Sequence, residues 1–270
     1  MSAASDYLEK KLLDHLLVNT AYAGETTLFF GLCTAAPSEG GSPTNEFAFS
    51  GGYARVAVTN DETKFPPCAI TGIPTKINGT LLAFPTATAA WGVASHWAIY
   101  NAATAGDLIV YGPLATSFDI QNGKTPKIPI GAMSLTIAVG SGGGVTDYTK
   151  RKLLDLIFGK TSFPSPTSVH VGLGTALSGE TLDEWTDANY YRQSTAFTAA
   201  TLGVGTCPNT GAKTFAGTGS SAPGTLTHYG IWDGGLGGNL LIVGPLNSSK
   251  VIATGDTVDL GIGACIVTLK

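Results

Sequence analysis

Charge is scarce in this chain. Asp, Glu, Lys and Arg make up 13% of its 270 residues, about half the share usual in a soluble domain, so Thr, Ser, Asn and Gly must cover most of the surface. Such a surface suits a protein packed against copies or partners, where every buried charge carries a desolvation cost, better than it suits a free cytoplasmic enzyme. The formal net charge is −4, whereas a nucleic-acid-coating surface needs clustered Lys and Arg. The only basic run, Lys150-Arg151-Lys152, reads as the solvated face of a helix. No apolar run approaches a membrane span, and Met1-Ser2-Ala3-Ala4-Ser5-Asp6 leads into a charged helix without the apolar core of a signal peptide. Neither nucleic acid nor membrane is therefore expected as a partner.

Catalytic signatures are missing as well. There is no Gly-x-Ser-x-Gly elbow, no His-Glu-x-x-His helix and no Walker loop, so no catalytic residue, cofactor or metal is expected. Cys33, Cys68, Cys207 and Cys265 are widely separated and form no Cys-x-x-Cys pair. They read as buried thiols of a chain folded in a reducing cytoplasm. Cys68 and Cys207 fall in comparable loops, which leaves a disulfide between them open. Among His15, His96, His170 and His228, only His96 and His228 recur at matched positions. With no second ligand at metal spacing, each reads as a partly buried residue bonding a backbone carbonyl. The acidic residues Glu39, Glu46, Asp61, Glu62, Glu180, Asp183 and Glu184 sit in predicted loops without a spaced pair that would mark a polysaccharide depolymerase.

What the chain does carry is an internal duplication. Tyr7, Leu12-Leu13-Asp14 and Gly31-Leu32-Cys33-Thr34-Ala35 return as Tyr148, Leu153-Leu154-Asp155 and Gly172-Leu173-Gly174-Thr175-Ala176, an offset of 172 − 31 = 141. Further on, Ser95-His96-Trp97-Ala98-Ile99-Tyr100 to Gly112-Pro113-Leu114 returns as Thr227-His228-Tyr229-Gly230-Ile231-Trp232 to Gly244-Pro245-Leu246, an offset of 228 − 96 = 132. The second copy is thus shorter in its middle, as surface loops allow. The expected organisation is a first domain over 1–139, a Gly/Ser linker over 140–145 and a second copy over 146–270.

Each copy opens on an amphipathic helix. Leu8, Leu12, Leu13, Leu16 and Leu17 form one stripe, with Asp6 and Glu9 spaced as a capping box, and Leu153, Leu154, Ile157 and Phe158 form the other, closed by Gly159. Each stripe should lie on the sheet of its own domain or on a neighbouring subunit. Short runs rich in β-branched and aromatic residues follow, punctuated by Gly, Pro and Asn. The fold class is therefore mainly β: two tandem antiparallel β-sandwich or barrel-like domains, each preceded by one helix. The turns Asn101–Asp107 and Asp233–Asn239 join the best-matched strands. The glycines of the second resemble a phosphate loop, but a strand follows where a helix would have to, so both read as hairpin turns.

Tyr53 with Arg55, and Tyr190 with Arg192, stand at i, i+2 on one strand face, a spacing suited to stacking or to a carbonyl contact. The low charge tips these four, with the loop tryptophan Trp185, toward an interface. Trp91, Trp97, Trp185 and Trp232 offer either core packing or stacking on sugars. His15, Trp91 and the Gly51-Gly52 loop belong to the first copy only.

Leu12-Leu13-Asp14-His15-Leu16, Leu28-Phe29-Phe30-Gly31-Leu32 with Thr34-Ala35, Gly51-Gly52-Tyr53-Ala54-Arg55-Val56, Phe84-Pro85-Thr86-Ala87-Thr88, Trp91-Gly92 and His96-Trp97-Ala98-Ile99-Tyr100 together resemble a family of small tailed-bacteriophage virion proteins commonly labelled tail fibre proteins, whose members typically carry one copy of the domain. The resemblance implies a non-enzymatic virion component. With the duplication it leads us to expect an external homo-oligomer in contact with other virion proteins. A trimer is expected, since three doubled chains supply six similar domains for a threefold or sixfold site. A tail fibre or collar element, a capsid decoration protein on the head and a module binding host surface glycan are the three roles to distinguish.

Overall fold

A computed structural model describes residues 3–40, 44–137, 144–216 and 224–269. The first half runs β1 (Ala3–Ala4), α1 (Asp6–Leu17), β2 (Thr27–Cys33), β3 (Val56–Thr59), β4 (Thr75–Ile77), β5 (Leu82–Ala83), β6 (Gly92–Tyr100), β7 (Leu108–Ile120), β8 (Lys127–Ile128) and β9 (Ser134–Thr136). The second runs β10 (Gly144–Val145), α2 (Asp147–Ile157), β11 (Val169–Ser178), β12 (Thr181–Glu184), β13 (Gln193–Thr195), β14 (Thr206–Pro208), β15 (Lys213–Ala216), β16 (Gly224–Trp232), β17 (Leu240–Ile252), β18 (Thr257–Leu260) and β19 (Ile266–Thr268). Residues 140–143 of the expected linker lie outside the described residues. Gly144-Val145, also assigned to it, form a strand that pairs with Val243 and Ile242, as Ala3-Ala4 pair with Tyr111 and Val110.

The two halves repeat one antiparallel plan. The main sheets have the orders β1-β7-β6-β2-β3 and β10-β17-β16-β11-β12, with β13 also on β11, and each half adds two two-stranded ribbons: β4-β9 and β5-β8, then β14-β19 and β15-β18. Register is repeated too, Gly31 facing Ala98 and Gly172 facing Gly230. The long hairpins lose register at the same place, between Ala94 and His96 and between Leu226 and His228. That repetition comes from the period-2 pattern: a slip of one residue would turn Phe30, Leu32, Trp97 and Ile99, all buried, to the wrong face.

Both helices begin on a hydroxyl. Ser5 accepts the Leu8 amide at 3.3 Å and donates to the carbonyl of Leu108, while Thr146 accepts the Thr149 amide at 3.4 Å and donates to Leu240 O at 2.7 Å. The cap is therefore Ser5 rather than the Asp6/Glu9 pair, because only Ser5 has extended backbone ahead of the first turn. Each cap also ties its helix to the first residue of the hairpin strand on its own sheet.

The other side of each helix crosses to the other half. α1 packs on β14 and α2 on β4, besides β7 and β17 of their own sheets. Asp14 Oδ1 accepts the Ala200 amide and Asp155 Oδ1 the Cys68 amide, both at 2.8 Å. The Lys76 ammonium reaches Asp155 at 2.7 Å, Asn60 brackets the end of α2 through Ile157 O and the Gly159 amide, and Ser165 donates to His15 O. A single apolar core consequently runs through both halves, from Leu13, Phe30 and Phe65 to Phe158, Leu173 and Phe215. The helix stripes cover their own sheets and, through this exchange, the neighbouring ribbons.

Candidate functional site

The Tyr-x-Arg pairs are the most elaborate polar clusters in the chain. Tyr53 accepts the Leu32 amide at 3.0 Å and donates to Glu46 Oε1 at 2.8 Å. Arg55 grips the same carboxylate with two N–H groups, Nε on Oε1 at 2.8 Å and Nη2 on Oε2 at 2.6 Å, and its Nη1 donates to Ala102 O and Ala105 O, each at 2.7 Å. The guanidinium lies 3.4 Å from the ring centroid of Tyr100. In the second half Tyr190 accepts the Leu173 amide at 2.8 Å and donates to Glu184 at 3.0 Å, Arg192 takes that carboxylate at 2.8 and 2.7 Å, and its Nη1 donates to Gly234 O and Gly237 O. It stacks 3.8 Å from the Trp232 ring centroid.

Sequence explains the close fit. A Cβ on Gly31 would stand 2.7 Å from Glu46 Oε1 and 3.0 Å from the Tyr53 hydroxyl; on Gly172 it would stand 2.7 Å from Glu184 Oε1 and 2.6 Å from the Tyr190 hydroxyl. The glycine of the repeated Gly-Leu-x-Thr-Ala strand is thus the floor on which a Glu-Tyr-Arg clamp rests. The clamp closes the second face of the sheet and holds the hairpin turn, which is further fastened by Asn101 to Asp107 in one half and, with the residues interchanged, by Asp233 to Asn239 in the other. Those turns are hairpin loops and not phosphate cradles. Burial and the neighbouring carboxylate push the Tyr53 and Tyr190 phenols well above their ordinary range, so both stay protonated donors.

Within a single chain these side chains are turned inward. Tyr53, Arg55 and Trp185 are buried and Tyr190 and Arg192 half-buried, and every N–H of Arg55 that meets Glu46 or the hairpin loop is directed inward. Spacing put Tyr and Arg on one strand face, but it carried no sign that a glutamate six to nine residues upstream would draw both beneath the surface. That glutamate, Glu46 or Glu184, and the glycine below it are the functional residues that the sequence reading missed; their recurrence at matched positions was the signal available.

The two clamps differ in what covers the tyrosine. In the first half Trp91 packs edge-on against Tyr53 at 5.1 Å and donates its indole N–H to Gly51 O at 2.7 Å. Gly51 and Gly52 have φ of +58° and +80°, so the loop and the tryptophan occur together because each shapes the other. In the second half Trp185 takes this role, 5.0 Å from Tyr190, in a shorter loop that offers its indole no carbonyl. The Trp185 Nε1 and Asp187 Oδ2 are buried without a hydrogen-bond partner, and both residues line an open cleft of about 240 Å³ with Tyr191 and Leu236 on its rim.

Histidines and thiols take structural places. Ser95 Oγ donates to Thr34 O at 2.6 Å and so must accept from His96 Nδ1 at 2.8 Å; Thr227, Thr175 and His228 repeat the arrangement. The imidazoles bond a neighbouring hydroxyl rather than a carbonyl, and the shared proton fixes the Nδ1–H tautomer. All four cysteines are free and buried, and burial raises their pKa values to about 12. Cys207 lies in β14, opposite in plan to Lys76, while Cys68 matches Ala200, so the two thiols do not occupy related positions. Among the described residues no group of three or more His, Cys, Asp and Glu could hold a metal ion, and no helix is long and apolar enough to cross a membrane.

The family model for the podophage GP4 fiber I protein gp80 matches residues 3–136 and again 144–268. The chain belongs to this family. Its two matched segments coincide with the two halves just described, so the family's pattern occurs twice in the chain. No curated protein matches the chain. A podophage fibre family makes the protein a phage virion structural component.

Proposed function

We propose that this chain is a non-enzymatic building block on the outside of the particle, a homo-oligomeric element of a tail fibre or collar, with a trimer as the expected state and other virion proteins as its neighbours. One observation carries the reading beyond family membership. The polar clusters that look most like chemistry, Glu46-Tyr53-Arg55 and Glu184-Tyr190-Arg192, are consumed in holding hairpin loops, and the chain repeats them as scaffold. Imaging of the virion at a resolution that traces chains should find the doubled domain outside the head, in three- or sixfold array. Absence from disrupted particles, together with a dilute monomer in solution, overturns the proposal.

A second reading, a module for host surface glycan, is favoured by the cleft at Trp185. Its unpartnered indole N–H and carboxylate oxygen, beside the exposed ring of Tyr191, combine a donor, an acceptor and an apolar face, the set that a pyranose ring requires. Binding to a glycan array that Trp185→Phe abolishes supports it; an array with no bound glycan removes it.

A further inference from the structure

The contacts that cross between the halves come in pairs. Asp14 accepts the Ala200 amide and Asp155 the Cys68 amide; 155 − 14 = 141 and 200 − 68 = 132, the two offsets of the duplication. The His15 carbonyl of α1 accepts the Ser165 hydroxyl, and the Leu156 carbonyl of α2 lies so close to Gly24 that a Cβ there would stand 2.5 Å from its oxygen; here 156 − 15 and 165 − 24 are both 141. Each contact thus occurs again with the halves interchanged, which is how two subunits meet across a twofold axis. The junction is also apolar at its centre. Phe65 and Phe158, from opposite halves, have ring centroids 5.5 Å apart, and both belong to the core that runs through the molecule, as the middle of an obligate dimer interface does.

Only the cations break the pairing. Lys76, 2% exposed, reaches across from the first half to Asp155, 13% exposed, and its place in β14 is held by Cys207. Asp14 takes Lys10 of its own helix, 35% exposed. The place of Lys10 in α2 is held by Arg151, whose guanidinium is committed to Ala69 O and Gly72 O. When a first half meets a second half, each aspartate therefore has one ammonium. Two second halves meeting in the same way would set Asp155 on the Ala200 amide beside Cys207, with no lysine from either side. Two first halves would give Asp14 the ammonium of Lys76 and let the more exposed Lys10 turn to water.

We infer that the two halves are partner subunits that bind each other without their covalent link, and that a second half selects a first half over another second half. The discriminating residues are Lys76 and Asp155. A carboxylate withdrawn from water without its cation carries a desolvation penalty that nothing repays, so the second–second pairing is the disfavoured one and the first–second pairing the one retained. This selection is independent of the oligomer that intact chains form.

The test uses the folded full chain with a protease site inserted between Gly140 and Gly143 and cut to completion. Native mass spectrometry and sedimentation velocity then count the halves in each species, before and after a urea cycle from which the intact chain refolds. The cut wild type should stay paired at micromolar concentration and return from urea with first and second halves in equal number in every species. Lys76→Met, its fold checked by circular dichroism, should weaken the pairing at least about tenfold, the effect of removing one member of a buried charge pair. Asp155→Asn keeps an acceptor for the Cys68 amide and removes the charge, and should return from urea with second–second pairs present. Halves that separate at micromolar concentration, or that do not pair again, overturn the interface. Second–second pairs in statistical proportion in the wild type, or none with Asp155→Asn, overturn the charge selection, as does unchanged pairing in Lys76→Met.

Discussion

Replacing Arg55 by Met should destabilise the protein far more than the same change at Arg192, although the two arginines make the same bonds. The Arg55–Glu46 pair has side chains 0% and 3% exposed, the Arg192–Glu184 pair 15% and 21%. In Arg55→Met the Glu46 carboxylate keeps only the Tyr53 hydroxyl, and Ala102 O and Ala105 O lose the donor that brings them together. Breaking a buried pair by removing one partner costs about 3–5 kcal/mol. Around Arg192 water can reach the abandoned carboxylate, and a cost of about 1.5–3 kcal/mol at most is expected, the range for a hydrogen bond to a charged group. Equilibrium urea unfolding, read by tryptophan fluorescence with a common m-value, measures both. Arg55→Met/Glu46→Gln should recover part of the loss, since no uncompensated charge then remains. Equal costs at the two arginines, or a cost below about 1 kcal/mol at Arg55, would refute the claim that burial rather than bonding pattern sets the strength of the clamp.

Gly172→Ala should cost about 1–3 kcal/mol by overpacking, because its Cβ would enter the space of Tyr190 and Glu184; a thermal melt unchanged within error contradicts the close approach. His15 is buried, accepts the Tyr22 amide on Nδ1 at 3.1 Å and has its pKa lowered by burial. The unfolded chain therefore binds the proton first, and stability should fall as pH drops from about 6.5 by up to about 1.4 kcal/mol per unit until the folded state also protonates. His15→Leu, which copies the residue at 156, should flatten that slope between pH 6.5 and 5.5 in unfolding titrations, and parallel slopes would dispose of the assignment. The four thiols, with pKa values near 12, should react with a thiol-directed chromophore only on unfolding, and rapid native labelling of any one would show it exposed.

The β-rich class and the helices were legible because they rest on local periodicity, and the duplication was legible because scaffold residues recur: Gly31 and Gly172, Tyr53 and Tyr190, the hairpin ending in Gly-Pro-Leu. Helix exchange was not. The stripe on α1 shows that Leu13 and Leu16 are buried, but no periodicity says against which half, and the deciding contacts of Asp14 and Asp155 are with backbone amides that any residue can supply. The clamps escaped for a related reason. Tyr53 and Arg55 read as surface because alternation sets a face, whereas their burial depends on Glu46 arriving from another segment.

Fusion of the two copies explains why their interior has become unequal. Two separate identical chains exchanging helices would have to make the same contact twice. Within one chain the constraint is gone, and Asp14 and Asp155 show the result. Both aspartates accept a backbone amide of the other half at 2.8 Å. Asp155 is neutralised from across the junction by Lys76, 2% exposed, while Asp14 is neutralised from its own helix by Lys10, 35% exposed. Where Lys76 stands in β4, β14 carries Cys207, close enough to Asp14 that the carboxylate helps raise the thiol pKa. Where Lys10 stands in α1, α2 carries Arg151, which binds the carbonyls of the other half's loop instead. One cation per aspartate is kept, but its source has moved. The same freedom let the loop beside Tyr190 shorten and open a cleft where Trp91 and Gly51 close the first half.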